Sequence, residues 1–126
     1  MKGVSIPDFL REAVALNGAR PAVVFGGRTT NYAAMDAASD RVAAAIAARG
    51  VNPGDRVGLY CVNSDAFVIA YFGIVKAGAV VVPINLLLNP KEIAFILADA
   101  GARGLIYFEA FAEGVQRLKS SVPNLE

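Results

Sequence analysis

The sequence contains no histidine and no tryptophan, and its only cysteine is Cys61. Without histidine there is no Ser-His-Asp or Cys-His relay and no imidazole ligand for a metal. A single thiol cannot form an internal disulfide, and Cys61 sits in an apolar run. It reads as a buried, inert side chain suited to a reducing compartment, so the chain is expected in the cytoplasm. Charge is also scarce. Only 18% of residues are charged, and 12 Lys+Arg stand against 11 Asp+Glu, so there is no basic footprint for nucleic acid. Long hydrophobic runs are missing too. The longest uncharged stretch, residues 77–90, is broken by Pro83, Asn85, Asn89 and Pro90 and falls short of the ~20 apolar residues that a membrane-spanning helix needs. Lys2, Pro7, Asp8, Arg11 and Glu12 interrupt the start before an apolar segment of signal-peptide length can form, so no export signal is expected.

What remains is apolar: 56% of the 126 residues are hydrophobic, ample for one core in one domain. Ser5, Pro7 and Asp8 open a helix with Phe9, Leu10, Ala13, Val14 and Leu16 on its apolar side, closed at Gly18. Residues 21–25 and 28–30 form a predicted hairpin about Gly26-Gly27. Tyr32 to Arg49 reads as an Ala-rich helix with Asn31 as its N-cap and Gly50 as its stop. Met35, Ala38, Val42, Ala45 and Ile46 recur on one side, with Asp36, Asp40 and Arg41 turned outward.

From residue 56 onward strands and helices alternate. Arg56–Val62, Ala79–Val82 and Arg103–Phe108 are predicted strands, and Asp65–Ala77, Pro90–Ala100 and Phe111–Ser120 predicted helices. Ala79–Val82 has the unbroken apolar character of a strand inside a parallel sheet, with Pro83 ending it. Asn89, Pro90 and Glu92 form the clearest helix start, an N-cap, first-turn proline and capping-box glutamate. The helix at residues 65–77 is apolar nearly all round and requires cover on more than one side. The alternation implies right-handed crossovers in an α/β fold, a parallel sheet with helices packed on it in three layers.

Such a fold raises the question of nucleotide binding, and the phosphate-cradling signatures are absent. Neither G-x-G-x-x-G nor G-x-x-x-x-G-K-[ST] occurs, and Gly26-Gly27, Gly54 with Gly58, and Gly101 with Gly104 read as turn glycines. Asp36 with Asp40, and Glu109 with Glu113, stand at i, i+4 and would share a helical face, solvated and not catalytic. Arg28, Lys76, Lys91, Arg103 and Lys119 are scattered near turns and helix ends, where Lys76 would offset the helix dipole ahead of Gly78. No catalytic, cofactor-binding or metal residue is expected in this chain.

The ordered string of features nevertheless resembles a family. Pro21-Ala22-Val23-Val24-Phe25, Asn31-Tyr32 with Asp36 and Arg41, Gly54-Asp55-Arg56-Val57, Asn63-Ser64, Lys76-Ala77-Gly78-Ala79, Val82-Pro83-Ile84-Asn85 and Glu92-Ile93 through Ala102 are similar to the beginning of adenylate-forming enzymes. That superfamily includes acyl-CoA synthetases, firefly luciferase and nonribosomal-peptide adenylation domains, and residues 54–102 are most like fatty-acyl-CoA ligases. Asn31 stands where the family commonly has Ser or Thr, and Ala34-Met35 where it has Glu-Leu. That loses the reciprocal capping glutamate and little packing.

The resemblance implies that residues 1–126 are an N-terminal structural segment ending before the phosphate loop, with the rest of the parent enzyme as its partner. The whole enzyme would use ATP, magnesium and coenzyme A to turn a carboxylate into an acyl-adenylate and then a thioester. This segment, expected to be inactive alone, would hold none of these cofactors. Two other readings are a free-standing, non-catalytic α/β interaction module and the start of a peptide-synthetase adenylation domain. Uncovered apolar surface also predicts that the chain self-associates.

Overall fold

The computed structural model describes residues 6–119; Ser5 and Ser120, at the two outermost predicted helix ends, lie outside them. The first helix, α1, spans Ile6–Asn17. The chain then enters the hairpin of β1 (Pro21–Phe25) and β2 (Arg28–Asn31), which pair antiparallel. Gly26 and Gly27 turn it at φ 57° and 75°; both central positions lie in the left-handed region, as a two-residue hairpin turn of the I′ type demands.

Asn31 ends β2 and starts α2 (Tyr32–Ala48): its side-chain oxygen accepts from the Ala34 N–H at 2.8 Å. Ser64 does the same for α3 (Asp65–Lys76), accepting from the Phe67 N–H at 3.2 Å. The strongest start belongs to α4 (Pro90–Ala100). There Asn89 accepts from the Glu92 N–H at 2.9 Å while Glu92 Oε1 accepts from the Asn89 N–H at 3.2 Å, closing a capping box. Asn89→Ala removes the bond that its side chain accepts but keeps the backbone N–H that donates to Glu92, so it and Asn31→Ala are each expected to cost about 1 kcal/mol in urea melts. Glu92→Ala removes the reciprocal bond, and a Glu92→Ala melt with no loss would show that this bond contributes nothing.

β3 (Arg56–Tyr60), β4 (Val80–Pro83) and β5 (Gly104–Tyr107) form a parallel sheet in the order β4-β3-β5. Val57 lies opposite Val81 on one side and Gly104 on the other. The pleat divides the side chains. Val57 and Leu59 of β3 join Ile46 of α2 and Ala70 and Ile74 of α3 in one core, with Val81 and Ile106 packed against it. Tyr60, Val82 and Leu105 turn the other way onto Ile93, Ala94 and Leu97 of α4. The result is the three-layer α/β arrangement that the alternation predicts. α3 touches α1, α2, β1, β3 and β4, which supplies the cover that its all-round apolar surface requires.

Three details differ from the sequence reading. β4 is an edge strand, not an interior one: among the described strands it pairs only with β3, and Val80 is half exposed. Pro83 is therefore tolerated as the last residue of β4, opposite Leu59, because an edge position leaves no second ladder needing its missing N–H. β3 ends at Tyr60, two residues before the predicted Val62. The last helix is split: a 3-10 turn over Glu109–Phe111 precedes α5 (Ala112–Lys119). Phe111 is held there by stacking on Tyr60, ring centroids 4.4 Å apart, so tertiary packing sets that boundary.

Candidate functional site

α2 and α3 cross in close contact. The cause is Gly73. A Cβ at this position would stand 2.6 Å from Val42 Cβ, closer still to Val42 Cγ1, and 3.2 Å from the Ser39 carbonyl oxygen. Only a residue without a side chain lets the two backbones approach this far. Ser39 is fully buried beneath the contact, and its hydroxyl donates to the Asp36 carbonyl oxygen at 2.9 Å. Sequence periodicity did not single out Gly73, since a glycine inside a helix pattern reads only as a weak point.

One turn further along α3, the Lys76 ammonium reaches across to α2. It donates to Asp36 Oδ1 at 2.6 Å, to Asp40 Oδ1 at 2.8 Å and to the Asp36 carbonyl oxygen at 3.0 Å. All three hydrogens of the ammonium have partners. The Lys76 side chain is only 4% exposed, against 25% for Asp36 and 64% for Asp40. This corrects two sequence expectations. Lys76 does lie in the last turn of α3 ahead of the left-handed Gly78, but its ammonium is a buried ion-pair centre rather than solvated, and Asp36 and Asp40 share a face that turns toward α3 with only Asp40 largely exposed. The legible signal was the i, i+4 spacing of the carboxylates; nothing in the pattern pointed to the partner thirty-six residues later.

The other candidate residues are dispersed. Arg28 pairs with Asp65 at 3.2 Å and Arg103 with Asp55 at 3.9 Å, while Lys91 is exposed in the first turn of α4. The side chain of Lys119 lies outside the described residues. Glu109 and Glu113 are exposed and divided between the 3-10 turn and α5, so they do not share a helix face. Cys61 is buried in the core with Ile74 and Leu59.

Nor do the glycines make a phosphate cradle. Gly26-Gly27 is the hairpin turn, Gly54 a positive-φ turn and Gly101 the left-handed cap of α4. Gly58 lies within β3 under Leu97 and Leu105, where a Cβ would meet them at 2.6 and 2.9 Å. The first turns of α3 and α4 carry Asp65 and Glu92, whose charge repels an approaching phosphate. Among the described residues no three His, Cys, Asp or Glu side chains are placed to hold a metal ion. Among the described residues the glycines form no phosphate cradle, and no chemical step is assigned to these residues. No helix among the described residues is long and apolar enough to cross a membrane.

One feature with room for something else is apolar. A cleft of about 230 Å³ opens between the second half of α2 and the sheet, lined by Val42, Ala45, Ile46, Val57, Leu105 and Ile106 among others. It runs beside β5, which among the described strands is hydrogen-bonded only to β3.

Comparison with known proteins decides what this architecture belongs to. Residues 10–126 match the family described as AMP-binding enzyme. The chain belongs to that family. Among curated AMP-binding relatives, the fatty acid–[acyl-carrier-protein] ligase ScoC of Streptomyces coeruleorubidus is 37% identical over 103 residues, 82% of this chain and 20% of its own length. The long-chain-fatty-acid–CoA ligase FadD13 of Mycobacterium tuberculosis is 45% identical over 76 residues, 60% of this chain and 15% of that protein. Among solved structures, the anthranilate CoA ligase AuaEII in complex with anthranoyl-AMP superposes with a TM-score of 0.92 and 31% identity, covering 99% of this chain and 25% of that one. The N-terminal domain of FACL13 from Mycobacterium tuberculosis gives 0.87 and 32%, covering 99% of this chain and 33% of that one. The chain thus spans a fifth or less of the length of these two curated relatives, and its three-layer body is an N-terminal subdomain of the acyl-CoA synthetase-like fold.

Proposed function

We propose that this chain is the N-terminal scaffold of an AMP-forming acyl-activating ligase and performs no adenylation by itself. The whole enzyme would join a carboxylate to AMP with release of pyrophosphate, then pass the acyl group to a thiol, using ATP, magnesium and coenzyme A held by other parts of the polypeptide. The observation that carries this reading is the superposition of nearly the entire chain on one quarter of AuaEII, combined with glycines that form no phosphate cradle. Adenylation needs donors and a cation around the developing phosphate charge, which this reading places in other parts of the polypeptide. The segment's role is then mechanical: its free β5 edge and the apolar cleft beside α2 seat the remainder of the enzyme, and Cys61 stays reduced in the cytoplasm. On its own, the chain covers the same surface by self-association.

The test uses the purified chain and a chimaera. ATP–pyrophosphate exchange with a panel of fatty and aryl acids is expected to equal the buffer blank, and light scattering to show mass rising with concentration. Replacing the matching segment of FadD13 by residues 10–118 is expected to leave a ligase that still forms acyl-CoA. Exchange activity in the isolated chain, or a chimaera that folds but never forms acyl-CoA, contradicts the scaffold reading. A concentration-independent monomer contradicts the self-association alone.

A further inference from the structure

The packing of α2 against α3 poses a problem of register. Nine of the seventeen residues of α2 are alanine, so much of the surface it offers a neighbouring helix is small and apolar. α3 contributes Phe67, Val68, Ile69, Tyr71, Phe72, Ile74 and Val75 and is apolar nearly all round as well. Burial is non-directional, and two such helices have little in their apolar pattern to distinguish one crossing from its neighbours a turn away. Gly73 permits close approach and disfavours a slide that sets a larger residue against Val42, but an alanine of α2 would accept Gly73 as readily as Val42 does, so the glycine fixes the crossing only in part.

We infer that Lys76, Asp36 and Asp40 form a register lock whose purpose is to specify the α2–α3 crossing rather than to add to its stability. The geometry has the properties such a lock needs. The ammonium is almost wholly buried, its three donors are all used, and its acceptors comprise two carboxylates one helical turn apart and the backbone carbonyl of one of them. Sliding α3 by one turn, about 5.4 Å, would leave the ammonium within reach of at most one carboxylate, since Asp36 and Asp40 stand one turn apart, and a buried cation short of acceptors carries a penalty that apolar contacts do not impose. Desolvating the ions offsets most of their attraction in the correct register, so the net stabilisation is small while the discrimination is large. A buried polar group that fixes helix register is an established use of such costs. This inference concerns the crossing itself and stands whether or not the ligase reading holds.

The test replaces the whole lock in the full chain, Asp36→Leu with Asp40→Ala and Lys76→Met, and compares it with Lys76→Met alone. Leucine and alanine raise helix propensity at their sites, so the triple variant is expected to keep a urea midpoint no lower than the native chain's. At concentrations where scattering gives a single mass, its amide NMR spectrum is expected to show several sets of peaks or lost dispersion for α2 and α3, with a smaller m-value. One sharp, native-like set of peaks overturns the lock. So does a triple variant as unstable as Lys76→Met, which would make the cluster an ordinary stabiliser. A native chain that itself shows several sets of peaks overturns it too.

Discussion

Gly73→Ala is expected to destabilise the chain by about 2 kcal/mol, although alanine is the better helix former. Intrinsic propensity favours the substitution by about 1 kcal/mol, so the sign of the measured effect decides which influence wins. The new methyl would stand 2.6 Å from Val42 Cβ and 3.2 Å from the Ser39 carbonyl oxygen. The first neighbour is the branched carbon of a stiff side chain and the second is helix backbone, so neither can swing aside. The helices must separate, and overpacking of this kind costs about 1–3 kcal/mol, sometimes more. Gly114 in α5 is the internal control, because a Cβ there meets nothing within 4 Å. Gly114→Ala is expected to gain about 0.5–1 kcal/mol from propensity alone. Urea melts of both variants read the difference; equal shifts of the same sign would show that the α2–α3 contact is looser than described.

Lys76→Met has the second large effect, an expected loss of about 2 kcal/mol. Methionine fills the volume of the lysine stem but leaves Asp36 and Asp40 facing a helix with no counter-charge. Breaking a fully buried pair by removing one partner costs about 3–5 kcal/mol. The smaller figure reflects Asp40, whose side chain is 64% exposed and recovers hydration, and Asp36, which at 25% recovers only part. The same exposures rank the single carboxylate changes: Asp36→Asn is expected to cost more than Asp40→Asn, and the latter less than about 0.5 kcal/mol. Asp40→Asn as costly as Lys76→Met would mean that the outer carboxylate, not the inner one, holds the ammonium. These variants lie remote from any chemistry, so in a ligase carrying this segment they act through abundance and melting temperature rather than through the chemical step.

Read along the chain, local signals located the elements well. Asn31, Asn89 with Pro90 and Glu92, Gly26-Gly27 and Gly101 each act through their nearest neighbours, a side-chain oxygen on an N–H three residues ahead or a glycine taking positive φ, and each appears in the structure where the residues place it. The alternation after residue 56 similarly specified a parallel sheet covered by helices, since parallel strands require a crossover between them. The family resemblance was legible for the same reason, as its motifs are turns and caps in a fixed order.

The tertiary structure alone decided everything that depends on which residues from distant stretches meet. β4 has the composition of an interior strand and became an edge, because strand order is a property of the whole sheet and composition reports only burial. Phe111 left its helix to stack on Tyr60. Gly73 had no visible role until Val42 stood opposite it, and Lys76 read only as a helix-end cation until the crossing of α2 and α3 carried it between Asp36 and Asp40. A sequence determines local geometry through contacts a few residues long; ion pairs and close packings between residues some thirty to forty positions apart exist only once the fold has brought them together.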